Sequence, residues 1–284
     1  MSRVGFVVHE GRGAAVAEAE RLREALEREG VDVLQLPSAV DDVDLVVAVG
    51  GDGTFLRAAH EASAFDCPIL GVKVGRLGFL TEVAPAESLV TIREALAGHV
   101  VLDERSSVTA EPAGGPDFPA QWGLNEIMVE KGARHRLIHL AVEVDGTYVT
   151  TFSADGVIVA TPTGSTAYSF SARGPIVAPH VPCLILTPIA PHMVFDRSFV
   201  LSADAVVTLE VEGEEPGILS ADGRASLEVP VGTRVRIRTS SRPARFVRRG
   251  GEGFLSRVRD KFGLPGSPDD VRAGDDARRV ADGE

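Results

Sequence analysis

Asp52 is the residue whose type and setting most demand chemistry. It stands inside Gly50-Gly51-Asp52-Gly53-Thr54, a glycine-rich turn. Glycines there allow positive φ and let another molecule approach the backbone closely. A turn that only cradled phosphate would not place a carboxylate in its middle. Asp52 therefore reads as a group that accepts a proton, bonds a hydroxyl or holds a metal ion beside a phosphate. The plain alternative is a turn whose Asp bonds only its own backbone. A second chemical stretch is Thr161-Pro162-Thr163-Gly164-Ser165-Thr166-Ala167-Tyr168-Ser169. Its hydroxyls and small residues suit phosphates, sugars and polar base edges, although such loops are also commonly only solvated. Asn125-Glu126 adds an amide and a carboxylate, with a turn or cap as the alternative role for Asn125. His135 and His139 have no carboxylate or cysteine nearby at metal spacing and read as surface residues. Cys67 and Cys183 form neither a metal motif nor a disulfide framework. A Gly-x-x-x-x-Gly-Lys-Ser/Thr loop is absent from the sequence.

These residues need elements to carry them. Leu45–Val49 is a continuous apolar, β-branched run and reads as a buried strand. Thr54 reads as an N-cap and Phe55–Ala64 as the following helix. Such a helix start presents free amides to an anion. Before this unit, Val4–Val8 is a strand, Ala14–Glu29 a helix closed by Gly30, and Val31–Leu36 a strand. Between the first two, Gly11-Arg12-Gly13 begins a near match to a dinucleotide fingerprint, with Val16 where the third Gly or Ala belongs. A simple strand–helix turn is the preferred reading. Pro68–Val72 is a further strand, leading into a loop with Gly71, Gly75 and Gly78; Ala86–Ala97 is a helix. The alternation predicts a Rossmann-like parallel α/β domain over residues 1–101, with ligands at the carboxyl ends of its strands.

After residue 101 the apolar period falls to two. Ile138–Val144, Asp145-Gly146 and Thr147–Phe152 read as a hairpin on a type I′ turn. Short alternating runs continue to Arg238, which predicts an antiparallel β-sandwich over residues 102–245. Ala110–Pro119 reads as a surface loop, residues 252–262 as an amphipathic helix that packs back on the first domain, and Pro265–Glu284 as a disordered tail.

The chain has 284 residues, 44% hydrophobic and 25% charged, with net charge −12. That balance argues against nucleic acid or an anionic membrane as partner. The basic residues are nearly all Arg; Lys stands only at positions 73, 131 and 261. No apolar run reaches membrane-spanning length and the N-terminus lacks a signal peptide, so a cytoplasmic location is expected.

The Asp52 turn resembles the Gly-Gly-Asp-Gly signature shared by NAD kinases, diacylglycerol and sphingosine kinases, and 6-phosphofructokinases. That resemblance implies phosphoryl transfer to a hydroxyl. Thr161–Tyr168 resembles the NAD kinase run Thr-Pro-Thr-Gly-Ser-Thr-Ala-Tyr, which the other families do not carry in this form. Gly71–Thr81, Asn125-Glu126, Gly174–Val177, Leu186–His192 and Ser220–Arg224 resemble further NAD kinase segments in the right order. The resemblance implies that ATP or polyphosphate donates a phosphoryl group to the 2′-hydroxyl of the adenosine ribose of NAD, with a divalent cation, expected as Mg²⁺. It also implies a homodimer or homotetramer with shared sites. Carried over by position, Asp52 is the catalytic base, with Gly53 beside it. Asn125 and Glu126 bind adenine and ribose. Thr163, Thr166, Ala167, Tyr168, Ser169, Phe170 and Ser171 line the substrate. Asp155 serves the nicotinamide end, and Arg57, Phe79, Arg136 and Arg224 complete the set. Between an adenine wall and a core residue, core is the preferred reading of Phe79. The chain departs from the pattern at Lys73, Arg173, Met193–Phe199 and Arg224. A lipid or sugar kinase of the same superfamily, or a non-catalytic dinucleotide sensor, are the competing readings.

Overall fold

The computed structural model describes residues 2–267 apart from 39–41, 76–77, 225 and 251–252. The expected disordered tail lies, from residue 268 on, outside the described residues. The first elements are β1 (Arg3–Val8), α1 (Gly13–Arg28), β2 (Asp32–Gln35), β3 (Leu45–Gly50), α2 (Asp52–Phe65), β4 (Ile69–Lys73), α3 (Pro85–Leu96) and β5 (Val101–Arg105). There follow β6 (Val108–Gly114), β7 (Gln121–Gly123), β8 (Glu126–Lys131), β9 (Ile138–Val144), β10 (Thr147–Ala154) and β11 (Gly156–Ala160). A 3₁₀ turn at Thr163–Thr166 leads to α4 (Tyr168–Ser171). The chain ends with β12 (Cys183–Ile189), β13 (Phe199–Ser202), β14 (Val207–Glu212), β15 (Gly217–Ala221), β16 (Leu227–Val229), β17 (Arg234–Thr239), β18 (Ala244–Arg248) and α5 (Phe254–Phe262).

The first sheet has the order β2-β1-β3-β4-β18-β5. Its strands β1 to β4 and β18 run parallel, and β5 closes the edge antiparallel to β18. On one face α1 buries Ala15, Ala19, Leu22 and Leu26 against Val4, Phe6, Val47 and Val72. On the other, α2 buries Phe55, Ala58, Ala59 and Ala62 against Val46, Ala48, Ile69 and Phe246. The Phe55 and Phe246 rings meet edge to face, centroids 4.8 Å apart. Burying a side chain of that size contributes roughly 1.5–3 kcal/mol. From β1 the chain crosses to β2 on one side, and from β3 to β4 on the other. The carboxyl ends of β1 and β3 therefore form the switch point where such sheets bind ligands.

Two antiparallel sheets, ordered β10-β9-β14-β17-β6-β7 and β13-β12-β11-β8-β15-β16, pack across a single apolar core. Ile127, Val129, Val157, Val159 and Leu186 face Leu140, Val142, Phe152, Leu209 and Ile237. The β9–β10 turn has Asp145 at φ 51° and Gly146 at φ 77°, as a type I′ turn requires.

Three local expectations change. Helix α2 starts at Asp52, with Gly51 as its N-cap, so Thr54 is inside the helix and does not cap it. Gly51 is free to take the extended cap conformation, and an acid in the first turn suits the positive end of the helix. Strand β6 continues to Gly114 against β17, so only the second half of the expected surface loop is loop. Finally, β5 and β18 pair with each other in the first sheet, so the chain leaves that sheet after Arg105 and re-enters it at Ala244. The run Val101–Arg105 carries no signal of which sheet it joins.

Candidate active site

The site grows from the end of β3. Backbone pairing puts Gly50 opposite Lys73 at the end of β4, and Val74 N–H donates to Gly50 C=O at 3.0 Å. This brings the loop after β4 back over the start of α2. There the Asp52 carboxylate accepts two backbone amides, Phe79 N–H on Oδ2 at 2.9 Å and Leu80 N–H on Oδ1 at 3.0 Å. Asp52 thus does not bond its own turn, which was the plain alternative. Lys261 of α5 brings its ammonium to 3.4 Å from Asp52 Oδ2, a contact that no local signal reveals. Lys73 is partly buried; its backbone N–H donates to Val83 C=O at 2.8 Å, and its side chain has no hydrogen bond or ion pair among the described residues.

Beside Asp52, at the switch point, a crevice of about 490 Å³ is lined by His9, Gly11, Arg12, Gly53, Thr54 and Arg57. The Arg57 guanidinium donates to Val8 C=O at 2.8 Å, and that of Arg12 to Val74 C=O at 2.7 Å. The Thr54 hydroxyl is buried without a protein partner. Two cationic side chains and two helix starts converge on this space, the combination that binds phosphate.

The second motif arrives from the sandwich. Thr161 hydroxyl donates to Leu124 C=O at 2.7 Å, and Thr161 N–H donates to Asn125 C=O at 2.8 Å. Gly164 packs on Asn125 so closely that a Cβ would stand 2.1 Å from its carbonyl oxygen. The loop is thereby fixed to Asn125-Glu126. That dipeptide is in turn held by Asp222, whose carboxylate accepts the amides of Leu124 (2.7 Å), Asn125 (2.7 Å) and Glu126 (3.1 Å). Burial raises the Asp222 carboxyl above its usual range, and these amides oppose the rise. Asp222 belongs to a turn quoted above, but nothing local to that turn reveals its contacts roughly a hundred residues away. Burial, then the Asp222 charge, pushes Glu126 up to about 8. A carboxyl group so shifted is protonated at neutral pH and can donate a hydrogen bond. Its Oε2 is buried and has no protein partner. The buried Thr163 hydroxyl lacks one too.

Phe79, Leu80, Thr163, Thr166, Phe254 and Arg257 line a cavity of about 280 Å³, between the loop whose amides hold Asp52 and the hydroxyl-rich loop. Phe79 is partly buried, with its ring near those of Phe254 and Phe262. Thr166 and Ala167 are partly exposed, Tyr168, Phe170 and Ser171 exposed, and Ser169 buried on Thr187 at 3.1 Å. Asp155 forms an ion pair with Lys131 at the opposite end of β8 from Glu126. Burial, then the charges of Glu130 and Asp155, raises the Tyr168 hydroxyl above its usual range. Arg136 is exposed and pairs with Glu215 at 3.0 Å. Arg224 faces α2: it donates to Trp122 C=O at 3.0 Å, and its charge helps burial push His60 down to about 4. Phe79 and Leu80, whose amides hold Asp52, thus share a cavity with Thr163 and Thr166, whose loop is anchored on Asn125; Arg136 and Arg224 do not line it. His135 and His139 are exposed.

The Arg173 departure has a structural cost. It follows α4 at φ 68°, a helix-terminal position at which Gly is favoured. We expect Arg173→Gly to stabilise the protein by about 0.5–1 kcal/mol, because a left-handed residue with a Cβ is strained. Calorimetry should show a Tm higher by about 2 °C; an unchanged or lower Tm would refute the strain.

Known proteins match both parts of the chain. The ATP-NAD kinase N-terminal domain model matches residues 35–100, and the ATP-NAD kinase C-terminal domain model matches residues 124–249. NAD kinase 2 of Streptomyces avermitilis is 37% identical, over 92% of this chain and 94% of the relative. The NAD kinase of Symbiobacterium thermophilum is 37% identical, over 92% and 99%. An Archaeoglobus fulgidus NAD kinase, solved in complex with ATP, is 31% identical with TM-score 0.71, covering 93% of this chain and 97% of that one. Yeast NADH kinase, solved with NADH, shares the fold at TM-score 0.83 and 23% identity, covering 94% and 89%. With both domain models matched and relatives aligned over nearly its full length, the chain belongs to the NAD kinase family.

Proposed function

We propose that the chain carries out the NAD kinase reaction with Asp52 as general base. The terminal phosphoryl group of ATP passes to the 2′-hydroxyl of the adenosine ribose of NAD, giving NADP. The observation that carries this is that Phe79 and Leu80, whose amides hold the Asp52 carboxylate, line one cavity with Thr163 and Thr166 of the loop anchored on Asn125. Beside that cavity Asp52 accepts the hydroxyl proton as the oxygen attacks phosphorus. The crevice of Gly53, Arg12 and Arg57 takes the donor phosphates. ATP as donor is supported by the ATP complex of the Archaeoglobus fulgidus relative, and polyphosphate is tested beside it. Glu126, Asn125, Thr163, Thr166 and Phe79 hold the adenosine half. The neutral Glu126 carboxyl and the Thr163 hydroxyl are the buried polar groups that lack protein partners there. Ala167, Tyr168, Ser169, Phe170, Ser171 and Asp155 form the wall toward the nicotinamide half, with Arg136 and Arg224 as outer contacts.

Among the described residues no group of three or more His, Cys, Asp or Glu could hold a metal ion. The expected Mg²⁺ needs no such group when donor phosphates carry it, so no step is assigned to a protein-bound metal. A homodimer or homotetramer is part of the proposal. Its support is the exposed apolar set Tyr168, Phe170, Ile176, Val181 and Val200 on the outer side of the second sandwich sheet. No helix among the described residues is long and apolar enough to cross a membrane. A coupled assay with NAD, Mg²⁺ and either ATP or polyphosphate, read by an NADP-specific dehydrogenase, tests the function. NADP should form and diacylglycerol should stay unlabelled. Label in the lipid and none in the dinucleotide would reverse the assignment.

A further inference from the structure

The motifs point to β3, α2 and the Thr163 loop, but the last side chain on Asp52 comes from α5. This helix is tied to the cleft at several points. Arg257 donates to Phe79 C=O at 3.0 Å and pairs with Glu82 at 2.5 Å. Phe262 stands 6.0 Å from the Phe79 ring and 4.5 Å from Phe170, so the last turn spans the first domain and the sandwich. Lys261 projects from that turn. Its ammonium lies 4.6 Å from the Phe79 ring centroid and 3.4 Å from Asp52 Oδ2. A cation in the last turn is favoured by the helix dipole alone, but the dipole does not require it to reach a carboxylate on another element. As an exposed ion pair it would contribute little to stability.

The occupancy of the Asp52 oxygens gives the contact a use. A carboxylate has about four acceptor positions. Oδ2 holds Phe79 N–H and Lys261, and Oδ1 holds Leu80 N–H. A hydroxyl that gives its proton to Asp52 takes the free position on Oδ1 or displaces the longest contact, which is Lys261. Either way an ammonium on a flexible stem lies next to the reacting oxygen. Phosphoryl transfer is accelerated mainly by positioning and by neutralising charge on the group in flight. Two of the three lysines of this arginine-rich chain stand by Asp52: Lys73 beside Gly50 and Lys261 on the Asp52 carboxylate. A compact, mobile charge is what lysine offers and arginine does not.

We propose that Lys261 is a catalytic cation of this reaction. It pairs with Asp52 before the substrates bind, and its ammonium turns to the phosphoryl oxygens when the acceptor hydroxyl takes its place on Oδ2. The hydroxyl proton passes to Asp52 and the hydroxyl oxygen bonds phosphorus. The bond from phosphorus to the bridging oxygen breaks, and the nucleoside diphosphate leaves with the electron pair. Lys261 keeps its proton throughout. The proposal rests on the NAD kinase reading with Asp52 as base.

The test compares the full-length wild type with Lys261→Met, Lys261→Arg and Lys261→Ala, by steady-state kinetics with NAD and ATP and by thermal melting. Lys261→Met should lower kcat about thirtyfold, less than the loss of a buried oxyanion donor because Lys261 is partly exposed. Its KM for NAD should stay within about threefold of wild type. Lys261→Arg should keep most of the lost kcat, and ethylammonium should restore part of it to Lys261→Ala. A purely structural lysine would lower Tm and would not respond to added amine. Wild-type kcat in Lys261→Met, or a loss that neither Arg nor amine recovers, overturns the proposal. A wild-type protein that makes no NADP overturns the reading beneath it, and the Lys261 role with it.

Discussion

Asp52→Asn is expected to lower kcat at least about 10²-fold, the scale of losing a positioned proton acceptor. The substitution keeps the shape of the side chain and removes its charge. It also changes the structure in a defined way. The carboxylate now accepts Phe79 N–H at 2.9 Å and Leu80 N–H at 3.0 Å. An amide offers one oxygen and one NH₂, so one backbone donor would face another donor. The Phe79–Leu80 loop should loosen and the ion pair with Lys261 should go. These two losses separate by measurement. A loosened loop weakens NAD binding and lowers Tm; a lost base lowers kcat in the bound complex. We expect the Kd for NAD, from calorimetry, to change by less than about tenfold while kcat falls much further. A variant with near wild-type kcat would remove Asp52 from the role of base, and a variant whose defect is confined to KM would make it a loop anchor only.

The second large effect comes from Gly78→Ala, which leaves every reacting group in the chain. A Cβ on Gly78 would stand 2.0 Å from Asp52 Oδ1, 2.6 Å from Cγ and 2.9 Å from Oδ2. Those distances cannot be tolerated, so the carboxylate or the loop must move. The carboxylate is held by amides of the next two residues of that same loop, so neither can move without disturbing the other. A displacement of about 1 Å at a reacting group costs on the order of 10²-fold in rate. Gly78→Ala should therefore lower kcat about 10²-fold, with a smaller change in Tm because Asp52 is partly exposed and can swing outward. Steady-state kinetics and melting on the same preparation decide it. Full activity would mean that the close approach of Gly78 does not position the base.

Local chemistry made much of this protein legible from its sequence. The apolar run before Gly50-Gly51, the acid at Asp52 and the helical stretch after it specify strand, turn and helix because each signal acts over a few residues. The Asp145-Gly146 turn reads correctly because both positions require positive φ, which few residues accept. The hydroxyl-rich run from Thr161 carries its chemistry in its side chains. Tertiary structure alone decided which groups meet. Asp222 holds the amides of Leu124, Asn125 and Glu126 from roughly a hundred residues away. Lys261 reaches Asp52 from a helix at the other end of the chain. The carboxyl of Glu126 is shifted because the sandwich buries it beside Asp222. Strand β18 returns to the first sheet and so delivers α5 to the cleft. Periodicity tells which face of a strand or helix is buried, since that depends on side-chain spacing along one element. It does not name the partner across the interface, because that choice is made when the two domains and the final helix pack together.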